Sequence, residues 1–186
     1  ESFNYNNLQK HPTLLNIYDE PLVPCRRRNP NDKKGSWLEG GYCSEETGGV
    51  HQICVDVDKT INFSENTGQG DWSEGRKGAN HCMCLGAWAL YKAKQDNKAK
   101  QDNNDISKSN NELHCDSIMD IALSKQYINK WNTWNGIQIP NQIVNGVNHL
   151  MKQCYSKANE SQKIKLLDKY MKLTADMPEF HNTDRK

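Results

Sequence analysis

The sequence has no P-loop, no dinucleotide-binding glycine fingerprint, no HExxH pair and no GxSxG elbow. Their absence excludes the nucleotide-binding, metalloprotease and hydrolase readings that rest on a local signature. It has no run of 18 apolar residues, so no membrane-spanning helix is expected. It has almost no net charge: 24 Lys and Arg against 23 Asp and Glu leave +1. That balance argues against a dedicated nucleic-acid binder or an acidic tail protein. Leu, Ile, Val and Phe number 33 of 186, about 18%. This is below the roughly 20% typical of ordered chains, but a disordered chain would also carry a high net charge. The start, Glu1-Ser2-Phe3, lacks Met and lacks a charged segment followed by an apolar one. It reads as a processed or cut end. The compartment stays open at this point: cytoplasmic, or organellar after removal of a targeting segment.

Five Trp, seven Tyr, five Met and seven Cys make up part of the aliphatic shortfall. The length suits one domain with something added. Asn is unusually common, at 22 residues, which points to a biased genome more than to a chemistry. Residues 1–15 read as an extended polar arm. Residues 16–23 are apolar enough to enter a core, and Pro21 and Pro24 exclude a helix interior there. Residues 25–35 form a turn-rich loop carrying Arg26, Arg27, Arg28, Lys33 and Lys34. These form a candidate basic patch. No aromatic residue is interleaved for base stacking, so a solvated loop is the favoured reading.

Ser36 to Cys43 and Val50 to Val57 read as the two strands of an antiparallel hairpin, with Glu45 to Gly49 as the turn. In that strand His51 and Cys54 fall on opposite faces. Residues 64–80 read as an irregular loop pinned by Trp72. Asn80 is placed to cap a helix from His81 to about Lys94, with Cys84, Leu85, Trp88 and Tyr91 on its stripe. KAKQDN then occurs twice in succession, at 92–97 and 98–103. The tract from about 95 to 111 is too polar to bury a core and reads as a low-complexity insertion. Three helices are expected to close the chain, over 116–131, 141–158 and 161–174. Their stripes include Met119, Leu123 and Tyr127; then Ile143, Val147 and Leu150; then Ile164, Leu167, Tyr170 and Met171. Trp131 and Trp134 read as core or interface anchors. The chain thus divides into an arm (1–15), an α+β core (16–94), the insertion (95–111), a helical part of the same domain (112–178) and a tail (179–186).

Five cysteines lie between residues 25 and 84. Four readings compete: buried inert thiols, which lead; disulfides, which need an oxidising compartment; a zinc site; and a reactive thiol. Zinc sites usually show paired CxxC or HxxxH spacing. Here only Cys82-x-Cys84 is closely spaced, and alternation separates His51 from Cys54. Cys82, at a helix start beside His81, would gain thiolate character from unpaired N–H groups. Cys115 and Cys154 read as helix-face packing residues.

From Asn16 the sequence reads NIYDEPLVPC, then KKGSWLEGGYC, GGVHQICVDVDKTINFSENTGQGD and NHCMCLGAWALYKA. In this order the PLxPC, HxxC and CxCxxxW elements resemble a family of small, mostly bacterial proteins known only as domain of unknown function 2237. The likeness spans about residues 16–94. The sequence departs from that pattern in a single cysteine at Tyr42-Cys43, in a shortened approach to the CxC, and in its three arginines. The resemblance implies a compact α+β domain and no established activity. It marks Cys25, Cys43, His51, Cys54, Cys82 and Cys84 as positions to follow, with Trp88 as a packing anchor.

The expected architecture is therefore α+β: a short antiparallel sheet packed with helices and a helical C-terminal half. The expected function is a non-catalytic interaction or structural module with a protein partner, no nucleic acid and no cofactor. No acid–base pair or oriented nucleophile is visible. The alternative is a thiol- or zinc-dependent protein that uses the candidate cluster Cys25, Cys43, His51, Cys54, Cys82 and Cys84.

Overall fold

The computed structural model describes residues 8–27, 29–45, 50–60, 62–101 and 111–180. Among them run β1 (Ile53–Asp56), α1 (Phe63–Asn66), β2 (Asn80–Met83), α2 (Leu85–Gln101), α3 (Lys125–Asn129), β3 (Thr133–Trp134), β4 (Ile137–Gln138), α4 (Pro140–Lys157) and α5 (Glu160–Asp176). The class is α+β, with two short antiparallel strand pairs and a helical C-terminal half. No helix among the described residues is long and apolar enough to cross a membrane.

The expected hairpin between residues 36–43 and 50–57 does not form. β1 pairs instead with β2, and Ile53, Cys54, Val55 and Asp56 lie opposite Met83, Cys82, His81 and Asn80. Two features explain the difference. Ser36, Gly40 and Gly41 have φ of 56°, 78° and 84°, left-handed values that interrupt a strand. Residues Asn80–Met83 are buried on both faces, so they show no alternation for the eye to find. The helix expected from His81 therefore starts four residues later, where Trp88 donates its N–H to the Cys84 carbonyl. Asn80 caps no helix. Its side-chain amide donates to the Cys25 carbonyl at 2.8 Å. The proposed turn falls largely on residues 46–49, outside the described residues.

α2 runs on through the first copy of the repeat and into the second. Its polar residues are not idle. Lys92 is buried and pairs with buried Glu112 at 3.1 Å. Asp96 accepts from the Asn145 amide at 3.0 Å and sits 2.8 Å from His149 Nε2. The tract read as an insertion from 95 is thus tied to α4 at its first residues. Residues 102–110 lie outside the described residues, as do 1–7 of the arm and 181–186 of the tail.

The helix expected over 116–131 is broken. Residues 115–117 and 120–123 form 3-10 turns, and only α3 is α-helical. The cause is the backbone of residues 15–17. Ile17 donates to the Ile118 carbonyl, and Asp120 donates to the Leu15 carbonyl. Residues 118–120 spend their polar groups on that segment and cannot also serve a continuous helix. The Trp131 and Trp134 rings lie 5.9 Å apart, tilted by 36°, at the start of the β3–β4 hairpin. A Cβ at Gly86 would lie 2.5 Å from the Trp134 ring, so glycine is what lets α2 start there.

α4 and α5 form where their stripes predict. α4 packs on α2 around Gly146, whose missing Cβ would meet that of Ala89 at 2.8 Å. Trp88 Nε1 donates to the Gly146 carbonyl at 2.9 Å. α5 opens with a capping box, Asn159 and Gln162 each accepting the other's backbone N–H. One core joins Ile17, Ile53, Phe63 and Trp88 to Ile143, Val147 and Leu150. Cys115 and Cys154, read as packing residues, are bonded to each other across 39 positions.

Two outcomes follow from this packing. Leu150 is 1% exposed, so Leu150→Ala is expected to lower the unfolding free energy by about 2–5 kcal/mol in urea titration. Replacing both Cys115 and Cys154 by Ser should lower it by about 4 kcal/mol, the chain-entropy value for a loop of this length.

Candidate functional site: a cysteine cluster and the cleft beside it

The β1–β2 register sets Cys54 opposite Cys82. Two loops close over that pair. Cys25 is held by its N–H to the Gly41 carbonyl at 2.8 Å, and Cys43 follows the 3-10 turn Glu39–Gly41. The result is two adjacent disulfides, Cys25–Cys54 and Cys43–Cys82, with Cα separations of 5.7 and 5.4 Å. All four residues are fully buried. They form an apolar cluster apart from the main core, with Trp37 packed against it.

The Sγ atoms of Cys25, Cys43 and Cys54 lie within 4.8 Å of one another, and Cys82 is bonded to Cys43. Strand alternation is irrelevant to this, because each sulfur comes from a different segment. The reading of Cys82 as a helix-start thiolate is corrected, since Cys82 lies in β2 and is disulfide-bonded. The leading reading of inert thiols is also corrected for six of the seven cysteines. Cys84 alone is free, and it is buried in the main core. Burial pushes its thiol up to about 11.

His51 joins neither disulfide. It precedes β1, and Glu45 holds it: Nδ1 lies 3.0 Å from the carboxylate and the backbone N–H donates at 2.9 Å. His51, Cys82 and Cys84 line a cleft of about 210 Å³ together with Ser36, Trp72 and His81. Sequence reasoning had missed Ser36 and its pairing with His81. Ser36 Oγ lies 3.1 Å from His81 Nε2, and Trp72 stacks on the His81 ring at 4.3 Å. The only signal for Ser36 is its neighbour Gly35, and that is too common to read. Gly35 sits under the Trp37 ring, and its carbonyl accepts from the Cys82 N–H.

The Ser36–His81 pair resembles a nucleophile and its base, but its electrostatics differ. Burial, and then the charge of Arg76, push the His81 imidazole down to about 3. Its Nδ1 is buried with no hydrogen-bond partner among the described residues. The carboxylate that would orient a catalytic base is on His51 instead.

The candidate basic patch is not a unit. Arg27 is buried, with Nη2 2.6 Å from Asp116 and 2.5 Å from Ser117 Oγ. Its role is to fix the loop against residues 116–117. Lys33 and Lys34 are exposed, Arg26 is half-buried, and Arg28 lies outside the described residues. No family model matches the chain, and neither does any curated protein or solved structure.

The His81 environment sets a pH dependence. Its folded value lies below the ordinary 6.5, so protons bind the unfolded chain first. The stability that neutral His81 contributes is complete above pH 6.5 and is lost as pH falls towards 3. Melting temperature should therefore fall between pH 6.5 and 4.5, and the slope should flatten in His81→Gln. An equal slope in both proteins would show that His81 titrates normally.

Proposed function

We propose that this chain is a non-catalytic interaction module, stapled by three disulfides, which works in an oxidising compartment and docks to a protein partner through α5. The observation that carries this reading is the outer face of that helix. Leu166 and Leu173 turn inward, while Ile164, Leu167 and Met171 are 70%, 42% and 69% exposed. All three belong to the apolar stripe expected for the helix over 161–174. Their spacing of three and four residues makes them one stripe. Lys165, Asp168 and Lys172 flank it. A continuous apolar stripe with a charged border is how an amphipathic helix meets a partner groove or helix.

The chemistry of the cleft supports the non-catalytic part. A histidine held near 3 is a poor general base at neutral pH. A thiol at about 11 is protonated there. The three disulfides support the oxidising compartment, since disulfides persist in such surroundings.

The test compares wild type with a variant carrying Ile164→Glu and Met171→Glu. Surface changes of this kind alter stability by no more than about 0.5 kcal/mol, so melting should stay within roughly 2 °C. Affinity capture from the native source should recover a specific protein with wild type and lose it with the variant. Equal recovery with both proteins, or none with wild type, would remove the reading.

A further inference from the structure

We infer that the two adjacent disulfides are the oxidised form of a zinc site, and that reduction turns Cys25, Cys43, Cys54 and Cys82 into a four-thiolate ligand set for one zinc ion. The first ground is geometric. Zinc–sulfur bonds of about 2.3 Å place the sulfurs of a tetrahedral site roughly 3.8 Å apart. Three of the four sulfurs already lie within 4.8 Å of one another, and the fourth is bonded to one of them. On reduction the two bonded pairs open outward to reach that spacing, and the unbonded sulfurs, Cys82 among them, close in on it. The backbone frame that holds them does not depend on the disulfides alone. Cys54 and Cys82 face each other in the β1–β2 ladder, while Cys25 and Cys82 donate backbone N–H groups to Gly41 and Gly35.

The second ground is independent of the sulfurs. Buried donors are nearly always paired, and an exception asks for an explanation. One exception lies at this cluster and a second lies beside it. Trp37 packs on the four cysteines, and its Nε1 is buried without a hydrogen-bond partner among the described residues. Arg76 lies 5.5 Å over the Trp37 ring, and its Nε is likewise unpartnered. A disulfide is a weak acceptor with no charge. Zinc with four thiolates carries a net charge of −2, and N–H donors and a nearby guanidinium favour it. The Arg76 Nη atoms are taken by Asp32 and the Asn80 carbonyl, but the apolar oxidised cluster leaves the Trp37 Nε1 donor unused, and the reduced, charged one gives it a role.

The reaction balances with a dithiol as the reductant. Two dithiols are oxidised to two disulfides, and their four electrons and four protons convert the two protein disulfides into four thiols. Zinc then forms four bonds to sulfur and releases the four protons. This inference does not rest on the α5 docking face, and its outcome leaves that face untouched; it bears only on the compartment, because the zinc form belongs to reducing surroundings.

The full chain is reduced with a trialkylphosphine in the presence of zinc chloride. Each phosphine takes up the oxygen of one water and leaves two thiols, and unlike a dithiol it does not compete strongly for the metal. Excess metal is removed by gel filtration, and zinc is counted by native mass spectrometry. One zinc per chain is expected in the reduced protein and none in the oxidised one. A variant with Cys84, Cys115 and Cys154 all changed to Ser should keep the one zinc, while Cys54→Ser should lose it. Far-ultraviolet circular dichroism of the zinc form should match that of the oxidised protein. Any of three results would overturn the inference: no zinc on the reduced wild type, zinc retained by Cys54→Ser, or zinc bound only to an unfolded chain. If the triple variant does not fold, cobalt substitution of the wild type decides. A four-sulfur spectrum sustains the site, and a spectrum with nitrogen or oxygen ligands removes it.

Discussion

The register of β1 on β2 is the constraint from which the rest of the molecule follows. A two-stranded ladder of four residues each is marginal in water. Here it is fixed from three sides. Cys54 and Cys82 are each bonded to a loop cysteine. The outer edge of β1 bonds to residues 112–114, with Asp56 donating to the Glu112 carbonyl and His114 to that of Cys54. β2 leads directly into α2, whose first turn begins three residues after Cys82. A slip of one residue would turn both cysteines away from their partners. The helical half is then built on α2, and α4 closes on it at Gly146.

A second constraint sits where the polar tract meets the core. Lys92 and Glu112 form an ion pair with almost no exposure, and Gln153 also donates to the Glu112 carboxylate at 2.5 Å. The Lys92 ammonium lies 5.3 Å over the Trp88 ring. Such a pair adds little net stability, because desolvation offsets its attraction, but removing one partner leaves a buried charge. It does fix position. The two ends of the polar tract, one on α2 and one beside β1, are held together however long the chain between them. This accounts for a repeat lodged beside a core: the tract is anchored at both ends by charge, and its length between costs little.

α4 and α5 were legible because their signals are local, whereas the helix read over 116–131 was not, since its breaks are set by the distant residues 15–17. The stripe Ile143, Val147 and Leu150 has one period and one buried face. β1 was legible as part of a strand over Val50 to Val57, but its partner was not. The paired residues lie 24 to 30 positions apart, and full burial of β2 erases the alternation that marks a strand. The β3–β4 hairpin carried a readable signal that went unused. Asn135-Gly136, both at positive φ, is the residue pair favoured by the tightest hairpin turn. The cysteine set was legible as a list of positions. Its pairing was not, since a disulfide depends on which loops fold back, and spacing along the chain does not record that. The exposure of Ile164 and Met171 was hidden for another reason. A helical stripe reveals that a face is apolar, and what covers that face is a matter of tertiary structure.

The CxC motif shows how one residue of spacing divides the chain between two interiors. Cys82, in the ladder, turns into the disulfide cluster. Met83 and Cys84 pass into the main core, where α2 begins. A free thiol this near in sequence to a disulfide would ordinarily threaten exchange. Two facts oppose it. Cys84 lies in a different apolar compartment from the four bonded sulfurs, and exchange requires the thiolate. With the thiol at about 11, roughly one molecule in ten thousand carries that thiolate at pH 7. The odd cysteine is therefore held out of the pairing by burial, and the two adjacent disulfides keep their connectivity although a seventh sulfur is encoded only two positions from Cys82.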